Sequence, residues 1–310
     1  MRQIIIEDLP LEERIRYLER IRQNAKERQE MVSNLQSGLN KYEITQDSHL
    51  MVLGKPITHT ITKTEWQVLY KSDNRIESEV VVLQEEQQSG GEWNELFHLM
   101  KKLTIPLQKI NFELSTKGLI INIINKAEIL NKWNEIKTEF INDNSFSEVL
   151  KLGDVDYSNP LPTIKKNIIY QLFFFSLYKN TYSMNKTNSL ERDIFLQSII
   201  FPECNFKVDV EEKAYERDRD YVFFNQYSID KDIDFWKVNS LYKDRYKQFI
   251  KQNTGQDEGA ENYSISYKSN YKVFEKVGKL AHCKATFEEK VNRNLYYNSN
   301  IEIKLIDLTL

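Results

Sequence analysis

Glycine and proline are scarce in this chain, nine and six residues among 310, and no two glycines adjoin except Gly90-Gly91. That scarcity excludes the backbone cradles that hold phosphate groups. No Gly-x-x-x-x-Gly-Lys loop, Gly-x-Gly-x-x-Gly turn or Gly-x-Ser-x-Gly nucleophile elbow occurs. There are two cysteines, Cys204 and Cys283, far apart in sequence. With no secretory signal beside them, they are expected to be reduced, partly buried thiols. The first residues, Met1 to Asp8, lack the apolar core and small-residue cleavage site of a leader. The longest apolar stretch, Ile168 to Tyr178, is interrupted by Gln171 and Ser176 and is too short to span a bilayer. The cytoplasm is the expected compartment. With 43 basic and 46 acidic residues intermingled and a net charge of −3, the chain has no basic block, so nucleic acid is not an expected partner.

What is present is a large apolar and aromatic content, 40% and 12%, enough for a packed core. The 17 tyrosines and 16 phenylalanines suit wide β surfaces or a lined cavity. Leu107 to Phe140 is the best-specified stretch. Ile110, Phe112 and Leu114 alternate with polar residues as a half-buried strand, and Thr116-Lys117-Gly118 supplies a turn. Leu119 to Ile124 reads as a strand covered on both faces. Asn125 and Glu128 have the spacing of a capping box for a helix carrying Ile129, Leu130, Trp133, Ile136 and Phe140. Trp133 is expected in the core, with its helix lying across the preceding strands.

Elsewhere, residues 11–31 form an amphipathic helix with a narrow stripe, Ile15, Leu18, Ile21 and Ala25, between dense charges. Residues 33–47 look like a polar loop or frayed helix end, and a hairpin joins 64–71 to 76–84. Residues 152–162 carry loop signals and give the best candidate boundary. Thr163 to Lys179 is the most apolar helix, residues 234–251 form another, and 252–261 reads as an acidic loop before a β-rich end. The similarity of Val68–Asn74 to Ile265–Asn270 is that of two ordinary hairpins. The expected organisation is an N-terminal helix over 1–32, a first α+β lobe over 48–142 and a second over 160–310, the two lobes free to form one continuous domain.

Tested for chemistry, the acidic clusters give little. Asp230, Asp232 and Asp234 alternate as in the start of a calcium loop, but Phe235 and Leu241 stand where Gly and Glu are needed. Asp232 and Asp234 are better placed to favour a helix N-terminus. Asp218 and Asp220 with Glu211, Glu212 and Glu216 read as a solvated edge. His282 and Cys283 point to opposite faces of a strand, and His49, His59 and His98 have no ligand spacing along the chain. No catalytic, cofactor-binding or metal-ligating residue is assigned, no cofactor is expected, and the purified protein is expected without stoichiometric zinc or calcium.

The run Ser115-Thr116-Lys117-Gly118-Leu119-Ile120, followed by Asn125-Lys126-Ala127-Glu128-Ile129 and Trp133, resembles a pattern in uncharacterised bacterial proteins, mainly of the Bacteroidota. The resemblance covers about 35 residues around 107–140. It implies an α+β fold in which a curved, largely antiparallel sheet wraps helices in a half-barrel-like manner, and it implies no activity. The functional expectation is a non-catalytic protein-binding adaptor, chaperone or structural component with a protein partner or self-association. Two alternatives stand beside it: a hydrolase using carboxylates near Asp218 to Asp234, and a carrier of an apolar ligand in an aromatic-lined cavity.

Overall fold

The computed structural model describes Ile15 and residues 39–72, 76–89, 101–114, 120–140, 146–177, 190–217, 221–229, 234–257, 259–260, 262–274 and 280–308. The expected leading helix lies outside these residues, apart from the helical and exposed Ile15. The strands are β1 (Leu39–Val52), β2 (Lys55–Ser72), β3 (Ile76–Ser89), β4 (Lys109–Leu114), β5 (Ile120–Ile123), β6 (Leu190–Gln197), β7 (Asn205–Arg217), β8 (Tyr221–Ile229), β9 (Ser264–Phe274), β10 (Leu280–Asn292) and β11 (Leu295–Leu308). All pair antiparallel in one 11-stranded sheet of order β5-β4-β3-β2-β1-β11-β10-β9-β8-β7-β6. Hairpin neighbours account for most of the pairs, and the long-range pairing of β1 with β11 joins the two halves of the chain.

Among the described residues, 101–104 are helical and run into a 3-10 turn at Ile105–Leu107, and the helices that follow are α1 (Lys126–Phe140), α2 (Ser147–Ser158), α3 (Leu161–Lys166), α4 (Ile168–Leu177), α5 (Phe235–Tyr242) and α6 (Gln248–Thr254), the last two linked by a π turn. The six-residue α3 contacts both edge strands, β5 and β6. Eleven flat strands would hold those edges roughly 48 Å apart at about 4.8 Å per strand, whereas α3 is only about 9 Å long. The sheet is therefore rolled, with α3 between its two edges. On the inner side α4 lies against β9 and β10, and its Tyr170 and Phe173 meet Trp66, Phe112 and Tyr42.

Several local expectations change in physical detail. Residues 39–47 are strand, not loop: every second side chain from Asn40 to Ile44 is buried, and both neighbours supply ladder bonds. Residues 147–158 are helix despite Gly153, whose missing Cβ makes room for the Trp133 ring: a Cβ there would lie 3.0 Å from Cε2 and closer to Cζ2 and Cη2. The apolar helix expected over 163–179 is two helices. Asn167 adopts an extended ψ of 117° between them, and its Oδ1 accepts the Ile169 N–H at 2.9 Å. The acidic loop begins later than expected, after Thr254, where Gly255 takes φ 71° as a left-handed cap.

The capping role expected of Asn125 is also different. Its Oδ1 accepts the Asn111 N–H at 2.9 Å and its Nδ2 donates to the Lys109 carbonyl at 3.0 Å, so the side chain ties α1 to β4. Trp133 is fully buried, but not on the sheet. It packs with Leu103 and Leu150 in a second small core between α1 and α2, while Ile129 of the same helix faces the sheet.

Candidate functional site

The strand registers set the inner face of the sheet. Ile44, Ile303, Cys283 and Tyr271 form one buried rung across β1, β11, β10 and β9. The next rungs are Gln46, Ile301, Ala285 and Ser269, then Ser48, Ser299, Phe287 and Tyr267. Period two in each strand puts these side chains on one side, and burial agrees.

Two chemical zones result. Under α4 the lining is aromatic: Tyr42 meets Phe173 edge-on at 4.7 Å, and Trp66 lies 4.7 Å from Tyr170. Tyr42 satisfies its hydroxyl by donating to the Leu280 carbonyl at 3.1 Å, leaving its ring face apolar. Farther along β1 the inner face carries uncharged hydrogen-bonding groups. Gln46 Nε2 donates to Ser299 Oγ at 3.0 Å and to Ser48 Oγ at 3.2 Å, and Tyr297 donates to Ser48 at 3.2 Å. Tyr267 donates to Ser269 at 3.0 Å and lies 3.2 Å from the Tyr271 hydroxyl. Burial pushes the Tyr170, Tyr267 and Tyr271 hydroxyls and the Cys283 thiol well up, so all four are neutral near pH 7.

One ionisable group was missed from sequence and stands on this inner face. Glu289 of β10 is fully buried. Its Oε1 accepts from the Ser198 hydroxyl and, at 2.8 Å, from the Tyr263 hydroxyl; its Oε2 accepts the Ile199 and Ile200 N–H groups at 2.7 and 3.2 Å. Four donors around one carboxylate satisfy it and pin the β6–β7 connection to the sheet. This is an anchor: Oε2 holds the backbone of the connection, and Oε1 is taken up by the Ser198 and Tyr263 hydroxyls.

The carboxylates weighed for hydrolysis run from Glu211 to Asp234. Asp218, Asp220, Asp230 and Asp232 lie outside the described residues, and Glu211, Glu212 and Glu216 belong to β7. Asp234 caps α5, its Oδ1 accepting the Lys237 N–H at 3.0 Å. Cys204 and Cys283 are both buried and not disulfide-bonded. Cys283 faces inward while His282 faces outward and meets Glu302 at 2.9 Å. His98 lies outside the described residues; His49 and His59 meet on the outer face of the sheet.

No family model matches the chain, and no curated protein matches it. Among solved structures, one similar chain is that titled "Lipid-protein interactions in lipovitellin", at TM-score 0.47 and 10% identity over 89% of this chain. The match spans about a quarter (26%) of that longer chain. A second is a putative outer membrane lipoprotein-sorting protein domain from Vibrio parahaemolyticus, at TM-score 0.19 and 8% identity, covering 91% of this chain and 90% of that one. Both scores lie below 0.5. Among the described residues no helix is long and apolar enough to cross a membrane.

Proposed function

We propose that the protein is a non-catalytic carrier that takes an apolar ligand between the rolled sheet and α4. The observation that carries this reading is the seam between α4 and the sheet, where the aromatic rings of Tyr170 and Phe173 meet those of Tyr42, Trp66 and Phe112. A helix seated on an open sheet can shift as a unit, whereas a strand bonded into a closed barrel wall cannot. An apolar chain entering there would exchange helix–sheet contacts for ligand contacts at little cost in buried area. The uncharged Gln46, Ser48 and Ser299 group next to the aromatic zone fits a ligand end that accepts or donates hydrogen bonds without carrying a phosphate. The half-barrel form implied by the resemblance to the Bacteroidota proteins is part of this proposal, as is work in an aqueous compartment such as the cytoplasm.

The test is titration of the purified chain with the apolar dye 1-N-phenylnaphthylamine, followed by displacement with oleic acid and by mass spectrometry of an organic extract. Saturable dye uptake reversed by oleic acid is expected. Absence of saturable uptake together with a lipid-free extract would overturn the proposal. That result would favour the adaptor reading instead, for which Trp236, 87% exposed beside the half-exposed Phe235, offers the better contact surface.

A further inference from the structure

On the outer face of the sheet, remote from the aromatic seam, the β1–β2 hairpin brings together three groups separated along the chain. His49 and His59 are direct cross-strand partners, and Asp47 lies two residues from His49 on the same face. The two imidazole rings stack at 4.0 Å with 16° between their planes. Each Nε2 lies 3.0 Å from the same oxygen, Asp47 Oδ1. All three ligand atoms fall within 4.8 Å of one another. We propose that Asp47, His49 and His59 bind one divalent transition-metal ion of the zinc, cobalt or nickel class.

The donor separations suit such an ion, once the stacked rings swing out of parallel so that both Nε2 lone pairs converge on it. With metal–ligand bonds of about 2.0–2.1 Å, the edge of a coordination tetrahedron is about 3.3–3.4 Å, close to the separations found. Without an ion, Asp47 Oδ1 pairs with His59 Nε2 in a hydrogen bond, and His49 Nε2 stands at the same 3.0 Å distance from it. With an ion, the two nitrogens turn their lone pairs to it and Asp47 becomes the third ligand. Two imidazoles and one carboxylate select zinc-like ions over calcium or magnesium, which demand more oxygen ligands. The three side chains are 36–46% exposed, so an ion can enter and water can complete its shell. The antiparallel ladder already fixes the backbone on both sides of the site, so little ordering is needed on binding.

The test uses the full chain without an affinity tag, stripped with a chelator and titrated with zinc by calorimetry and with cobalt by visible absorption. One ion per chain is expected, with cobalt bands of the intensity that four-coordination gives. His49→Ala and His59→Ala should each weaken binding by more than the roughly 10–100-fold that loss of a second-sphere partner costs. His282→Ala, at a histidine outside the cluster, should leave affinity unchanged. Thermal melts of the metal-free variants confirm that they fold. Binding in His49→Ala and His59→Ala as strong as in the parent, or no binding by the parent, overturns the proposal.

Discussion

Gly153→Ala is the substitution whose sign depends most directly on the packing described here. In an exposed helix, Ala in place of Gly stabilises by up to about 1 kcal/mol. At position 153 the new methyl would sit 3.0 Å from Trp133 Cε2 and nearer to Cζ2 and Cη2. The indole cannot retreat. It is fully buried, its Nε1 donates to Asp154 Oδ1 at 2.8 Å, and its ring lies 4.7 Å from that of Tyr157. Overpacking of this kind costs about 1–3 kcal/mol, and more where the neighbour is rigid. A net loss of about 2 kcal/mol is expected. Trp133→Phe removes the part of the ring that the methyl would strike, at a cost of about 1–2 kcal/mol for the lost hydrogen bond and the space left behind. In that background Gly153→Ala should be neutral or stabilising, giving a coupling of about 2–3 kcal/mol in the cycle. Urea unfolding followed by far-ultraviolet circular dichroism measures all four proteins without relying on Trp133 fluorescence. Additivity within about 0.5 kcal/mol would refute the argument.

Two further predictions concern carboxylates. Glu289→Gln should cost about 1–2 kcal/mol, since the amide still offers one oxygen to the Ile199 and Ile200 N–H groups, whereas Glu289→Leu strands several buried donors and should cost at least about 4 kcal/mol in the same urea assay. For Glu302, burial pushes the carboxyl up, but hydrogen bonds from Lys304, His282 and Lys284 outweigh it and bring it down to about 2. A folded value below the unfolded one, near 4.3, means the contribution is complete above that pH and is lost as pH falls toward 2. Solvent screening holds it to about 1 kcal/mol. Melting temperature against pH should therefore fall less steeply between pH 4.5 and 2 in Glu302→Gln than in the parent.

What the sequence made legible was local. The β4–β5 hairpin and helix α1 follow from apolar spacing within 35 residues, although β5 is not covered on both faces as its apolar run suggested, since Ile121 is 48% exposed, and the β2–β3 hairpin follows from its alternation. Strand β1 was hidden because Gln46 and Ser48 face inward, so alternation of apolar with polar residues breaks down after Ile44. Its partner β11 lies some 250 residues away, and no pattern along the chain announces that pairing. Gly153 and Asp154 read as loop, yet one makes room for Trp133 and the other accepts its N–H. Glu289 did carry a signal: period two with Cys283, Ala285 and Phe287 puts it on the inner face. His49 and His59 carried none, because their meeting depends on the cross-strand register and on nothing in their spacing.

The central claim, that an apolar ligand enters between α4 and the sheet, is tested most directly at Trp66, which is 4% exposed and lies 4.7 Å from Tyr170 of α4. The measurement is tryptophan fluorescence during titration with dibrominated stearic acid, whose bromine atoms quench only on close approach, compared between the parent and Trp66→Phe. The account predicts saturable quenching in the parent that is largely lost in Trp66→Phe while dye uptake persists. Quenching that never saturates, or that is the same in both proteins, would contradict it.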